Sequence, residues 1–351
     1  MNPNRRTLLA ATTALAAGLL CGATTAEAQQ KILVGVSWAN FQEERYKTDE
    51  AAIKARLQEL GAEYVGTDAQ SNAGKQLSDV EGMLARGVKA IIVNAWDADA
   101  IQPAVARAQA EGIPVIGYDR PIEARDVFNV TFDNREVGRM QGRALLEAKP
   151  KGNYVFIKGA QTDPNAAVFH QGQRDALNEA IQKGDIKVVG DEFTERWLPA
   201  NAQRNMEQIL TRNNNQVDAV VASNDGTAGG VIAALAAQGL TNVPVSGQDA
   251  DVAALNRIAR GQQTMTVWKD VRELGKVAAD TAVQLARGTK PEQIGGVTKL
   301  AGPKNIQTDA ILLKPVAVNR DNLAALIEVG WARKEAICQG VSGPNAPTAC
   351  R

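Results

Sequence analysis

One histidine, His170, is the chain's whole supply of imidazole. That removes most acid–base and metal chemistry that runs through histidine. No Ser-His-Asp set assembles around it, and no Cys-x-x-Cys or His-Glu-x-x-His spacing offers a metal site. There is no Walker loop and no Gly-x-Gly-x-x-Gly after the first strand-like run. Gly35-Val36-Ser37-Trp38 has the wrong shape for a pyrophosphate. Asp249-Ala250-Asp251 begins like a calcium loop but lacks the third carboxylate and the terminal Glu. No catalytic residue, metal or cofactor is therefore assigned. A carboxylate pair that hydrolyses glycosides stays open, although no pair stands out from surface charge.

Excess charge is also missing. The 39 Lys+Arg balance 39 Asp+Glu. A nucleic-acid partner would want a basic face, so none is expected. After the first thirty residues no apolar run reaches the length of a membrane helix, so a soluble mature chain is expected. No linker rich in Pro, Gly or Ser divides the chain.

The N-terminus reads as a secretory signal. Asn4-Arg5-Arg6-Thr7 is a short positive region, Leu8 to Leu20 is apolar, and Ala26-Glu27-Ala28 is a small-x-small cleavage site. Cleavage near Ala28 would export the chain to the periplasm. Arg5-Arg6 also fits a twin-arginine signal, so the export route stays open. Leu20 is too large for the residue before a lipid-modified cysteine, which disfavours that role for Cys21. Only Cys338 and Cys350 then remain, in an oxidising compartment and around a turn-rich segment. A disulfide is expected there, worth on the order of 3 kcal/mol at most.

What is present is a repeated strand–helix–strand sentence. Val88 to Asn94 leads through a helical segment to Val115-Ile116-Gly117-Tyr118-Asp119. Val217 to Asn224 leads likewise to Val243-Pro244-Val245-Ser246-Gly247-Gln248-Asp249. Each copy ends on an Asp, and ligands of open parallel sheets bind outside the carboxyl ends of the strands. The alternation of strand and helix signals throughout predicts an α/β fold: two similar Rossmann-like lobes with parallel sheets, joined by a multi-strand hinge. Residues 29–132 and 264–303 are expected to form the N-terminal lobe. Residues 133–263 and 304–330 form the C-terminal lobe, and 331–351 a tail. The last strand candidate is Ile311-Leu312-Leu313.

Forked polar side chains and aromatic rings gather at predicted strand ends: Arg45 with Tyr46, Asp119-Arg120, Asn165, Trp197, Asn224-Asp225, Asp249 and Lys269. Asp, Asn and Arg can engage neighbouring hydroxyls of a sugar, and a ring suits its C–H face. Each has a plainer role open to it. Arg45 can be solvated, Asn224 can cap a helix, and Trp197 can pack in the core.

The chain resembles the type I periplasmic sugar-binding proteins, and most closely those that bind D-xylose for a bacterial ABC importer. The resemblance rests on Glu44-Arg45-Tyr46, Tyr118-Asp119-Arg120, Phe132-Asp133-Asn134, Val188-Val189-Gly190-Asp191, Trp197-Leu198-Pro199, Ala222-Ser223-Asn224-Asp225, Ser246-Gly247-Gln248-Asp249-Ala250-Asp251 and Gln263-Thr264-Met265-Thr266-Val267-x-Lys269. It implies that Arg45, Asp119, Arg120, Asn165, Asn224, Asp249 and Lys269 hydrogen-bond a sugar. Trp197 would stack on the ring and Tyr46 would line the opposite face. Trp38 and Trp96 are further candidates for the cleft. His170 stands where the family usually has arginine. It is expected to donate a hydrogen bond to the sugar, and either to alter the sugar preference or to make affinity vary near pH 6.5.

The implied function is capture of a monosaccharide, D-xylose or a similar aldose, by a monomer that docks on an ABC permease in the inner membrane. A sensor presenting the sugar to a membrane receptor is an alternative, as is a secreted carbohydrate-active enzyme. The export signal and the lack of a helix-turn-helix before Lys31 disfavour a repressor.

Overall fold

The apolar runs become the inner strands of a seven-stranded and a three-stranded sheet, and a two-stranded pair lies beside the latter. The structure, a computed structural model, describes residues 31–351; the signal expected over residues 1–28, Cys21 included, lies outside them. Five parallel strands come first: β1 (Leu33–Trp38), β2 (Glu63–Asp68), β3 (Ala90–Val93), β4 (Val115–Tyr118) and β5 (Val127–Phe132). A second parallel set follows: β6 (Gly152–Lys158), β7 (Ile186–Phe193) and β8 (Ala219–Ala222), in the order β7-β6-β8. Four strands close the chain: β9 (Met265–Trp268), β10 (Thr298–Ala301), β11 (Gln307–Leu313) and β12 (Val316–Asn319).

The pairing of these late strands differs from the expected lobe boundaries. β9 pairs antiparallel with β12. It also bonds to the segment after β8, through Asp249 N–H to Val267 O and Val267 N–H to Gly247 O. It therefore extends the second sheet, and the chain leaves that sheet after Trp268 rather than at 264. β11 lies parallel beside β5, with β10 antiparallel on its edge. The first sheet thus reads β10-β11-β5-β4-β3-β1-β2, and the return crossing follows Leu313 rather than 304. Strand periodicity marks where a strand is, but not which sheet has an open edge for it.

The second repeat unit also departs from expectation. Val243-Pro244-Val245 contributes a single bridge, Val220 to Val245, and no strand. Pro244 has no N–H to give a ladder; its carbonyl accepts the N–H of Val220.

Two helices meet unusually closely beside the second sheet. On helix Asn134–Ala148 the apolar side chains at helical spacing are Val137, Met140, Ala144, Leu145 and Ala148. Val137 and Leu145 are buried and Ala148 is exposed, while Gly138, Gln141 and Gly142 fill the inward face. A Cβ on Gly138 would lie 2.0 Å from the Phe169 carbonyl oxygen, and one on Gly172 2.0 Å from that of Arg135. Helix Pro164–Gln182 can approach only because both positions lack side chains.

Cys338 and Cys350 are bonded, with Cα atoms 5.4 Å apart. The tail they close packs on helix Val252–Ala259 and β12. The Asn256 amide donates to the carbonyls of Ile337 and Gln339, and the Trp331 indole N–H to that of Ala250.

Candidate functional site

The two aspartates that end the repeat units adopt the same unusual backbone. Asp119 has φ +62° and Asp249 φ +98°. Asp tolerates this left-handed region better than most residues. Each N–H is held by a neighbouring strand: Asp119 to Val130 O at 2.9 Å, Asp249 to Val267 O at 2.8 Å. The sharp turn puts both carboxylates into one small cavity between the two sheets.

Cations converge on that pair. Arg45, the first residue of helix Arg45–Glu59, reaches Asp119 at 3.2 Å, Asp249 at 3.5 Å and Asp49 at 3.0 Å. Lys269 follows β9 directly and lies 3.3 Å from Asp249 and 3.7 Å from Asp119. Arg120 Nε is 3.0 Å from Asp163, and Arg120 Nη1 donates to Ala95 O at 3.2 Å. All of these side chains are at most 5% exposed, so the charges are paired in a dry setting.

Neutral forks and rings complete the lining. The Asn165 amide donates to Asp119 O at 2.9 Å and accepts from Asn134 at 2.8 Å. Trp197 donates its indole N–H to Asp163 at 3.2 Å and meets Phe169 edge-on. Asn224 does cap helix Asp225–Ala237, accepting the Thr227 N–H at 2.9 Å, and it lines the cavity as well. Tyr46 is buried against Arg45.

The structure therefore brings together Arg45, Tyr46, Asp119, Arg120, Asn165, Trp197, Asn224, Asp249 and Lys269. It does not bring His170. That ring packs edge-on to Phe156, with Nε2 3.5 Å from Asp191, away from the cavity lining. Phe169 takes the cavity position, and one residue along a helix turns the side chain by about 100°. The expected sugar contact from His170 is corrected accordingly; burial lowers its pKa at a site remote from the cavity. Trp38 is core, bonded to Tyr64, and Trp96 stacks near Arg196; neither lines the cavity.

Four lining residues escaped the sequence reading: Glu43, Asp163, Phe169 and Gln248. Asp163 had a signal, since Asp before Pro164 marks a helix start, and it caps that helix through the Asn165 N–H. Phe169 had one too, four residues after Asn165 on the same face.

Burial and charge pull the carboxylates apart. Burial raises Asp119, but Arg45, Lys269 and Arg120 together hold it below its ordinary value. Burial pushes Asp49 up to about 6 despite Arg45. Burial, with the charge of Asp249, pushes Asp225 up to about 7. In the folded chain Asp49 and Asp225 hold protons that the unfolded chain has released. Their stability contribution is complete below about pH 4 and is lost as pH rises through about 6 to 7. Asp119 acts in the opposite sense, and its contribution is lost only on strong acidification. The urea midpoint is therefore expected to be highest near pH 4 to 5 and to fall toward pH 8. A midpoint that climbs over that range would contradict the burial of these groups as its cause.

Among the described residues no cluster of His, Cys, Asp or Glu is arranged for a metal ion, and no helix is long and apolar enough to cross a membrane. A model of the periplasmic binding protein domain matches residues 34–290. The D-xylose-binding periplasmic protein of Escherichia coli is 41% identical over 84% of this chain and 88% of that protein. The multiple sugar-binding periplasmic receptor ChvE of Rhizobium radiobacter is 32% identical over 94% of this chain and 99% of its own. A carbohydrate transporter solute-binding protein from Chloroflexus aurantiacus, solved with D-glucose, superposes with a TM-score of 0.79 at 32% identity. That match covers 88% of this chain and 98% of the other.

Proposed function

The chain belongs to the periplasmic binding protein family, and from that premise we propose that it captures D-xylose in the periplasm and delivers it to an ABC importer. It is a binding protein rather than an enzyme, as its relatives are named. The observation that carries the reading is the cavity itself. Forked carboxylate, guanidinium and amide groups from the carboxyl ends of both sheets surround a small space beside Trp197. Forked groups that converge from two sides suit the adjacent hydroxyls of one sugar ring. Asp249 Oδ1 makes ion pairs but no hydrogen bond, and so retains acceptor capacity for a hydroxyl.

The mechanism follows from where the contacts originate. Arg45, Asp119 and Arg120 extend from the first sheet; Asn165, Trp197, Asn224 and Asp249 extend from the second. A sugar that touches both sets binds the closed arrangement better than an open one, and shifts the population by that difference. The permease would read the closed surface. A pentose has about ten non-hydrogen atoms, so a ceiling of roughly 1.5 kcal/mol per atom allows about 15 kcal/mol. Micromolar affinity needs about 8 kcal/mol, so the contacts need not be ideal.

A thermal-shift series with xylose, ribose, arabinose, glucose and galactose tests the substrate. Ligand at 100 times its Kd stabilises by about 2.7 kcal/mol, a shift of several degrees. Xylose is expected to give the largest shift. Equal shifts with several aldoses would favour the broader sugar-receptor role in which the Rhizobium radiobacter relative is named, and no shift with any would reject sugar capture.

A further inference from the structure

Glu43 lies just ahead of the helix that carries Arg45, outside every motif that identified the site, yet it lines the cavity. Its side chain is 20% exposed, so it stands at the mouth rather than in the depth. Arg120 Nη2 is 3.6 Å from its Oε1, beyond the 2.7–3.2 Å of an N–H···O hydrogen bond. The carboxylate is thus held by charge while its lone pairs remain available. The groups that face it are Glu44, Arg45 and Tyr46 on its own segment, Asp119 and Arg120 after β4, and Asp249 and Asp251 from the second sheet. Burial pushes Glu43 up to about 7, against the pull of Arg120.

We propose that Glu43 is a further sugar-contacting residue, accepting a hydroxyl hydrogen bond at the cavity mouth, and that it makes affinity rise with pH through neutrality. The inference rests on the sugar-capture reading above. A hydroxyl donates more strongly to a carboxylate than to a carboxylic acid. Bound sugar therefore favours the ionised form, and by linkage sugar binding near neutral pH expels a proton from Glu43. Affinity is highest above the free protein's pKa and weakens on acidification.

Calorimetric titration of the full chain with D-xylose from about pH 5.5 to 8.5, in buffers of different ionisation enthalpy, tests this. The wild type is expected to bind about fivefold more tightly at pH 8 than at pH 6 and to release a fraction of a proton at pH 7. Glu43→Gln keeps the shape without the titration and should flatten both. Glu43→Leu should bind more weakly at pH 8, with the same flat profile. A wild-type profile that is flat, or a Glu43→Gln variant that keeps the rise, overturns the assignment; the latter would pass it to Asp49, Asp225 or Asp251. A wild type that binds neither xylose nor any other aldose of the panel at any pH overturns the sugar-capture reading and this inference together. Binding without pH dependence overturns this inference alone.

Discussion

An Arg45→Met chain is expected to lose sugar affinity by at least about 100-fold and to be about 3–5 kcal/mol less stable. Arg45 lies within 3.5 Å of three carboxylates, those of Asp49, Asp119 and Asp249. Methionine fills the space but removes the charge, and Lys269 is then the nearest cation to Asp119 and Asp249. Breaking a buried pair strands the partner's charge, which costs more than the pair contributes. Asp49, already pushed up to about 6 by burial, would be pushed higher without the guanidinium. The deficit in stability should therefore widen as pH rises from about 5 to about 8. Binding suffers separately, because charge-assisted hydrogen bonds are worth ~1.5–3 kcal/mol each and Asp119 would lose the guanidinium that helps hold it ionised. Arg45→Lys restores the charge without the fork and should fall between the two. Urea titrations at the two pH values, with calorimetry at each, read both effects. A methionine variant with the wild-type midpoint and Kd would remove Arg45 from the centre of the site.

Gly138→Val is expected to cost at least about 3 kcal/mol and to weaken binding as well, although residue 138 touches no part of the cavity. Even a Cβ there would sit 2.0 Å from the Phe169 carbonyl oxygen and 2.8 Å from the Gln173 N–H nitrogen. Backbone cannot rotate away as a side chain can, so helices Asn134–Ala148 and Pro164–Gln182 must separate. Two buried links break when they do: Asn134 to Asn165 at 2.8 Å, and Gln173 to Gln141 at 2.8 Å. Asn165 and Phe169 ride on the displaced helix and line the cavity, so the sugar grip loosens with the packing. Gly138→Ala should show the same loss in smaller degree. Thermal melts followed by circular dichroism, with xylose affinity on the folded fraction, check the pair. Wild-type melting in the valine variant would mean that the helices tolerate a wider spacing.

The sequence by itself determined the elements and their punctuation. Runs such as Ala90–Val93 and Ala219–Ala222 are apolar throughout because they are covered on both faces, and that shows in composition. Asp119 and Asp249 were legible as strand-end carboxylates for the same local reason, and Cys338 with Cys350 as a bonded pair from their compartment and spacing. Only the tertiary structure decided which sheet received β9 and β11, because that depends on which edge was open. It also set the inward face of helix Asn134–Ala148, where glycine spacing rather than apolar periodicity marks the contact. His170 and Phe169 are neighbours in sequence, yet helical rotation puts one at the cavity and the other against Phe156. Glu43 gains its surroundings from Arg120 and Asp249, residues far from it along the chain. Periodicity and capping act over a few residues. The site is made by contacts such as Asn129 to Thr308, 179 residues apart, and those follow from how parallel strands and their crossovers close in space.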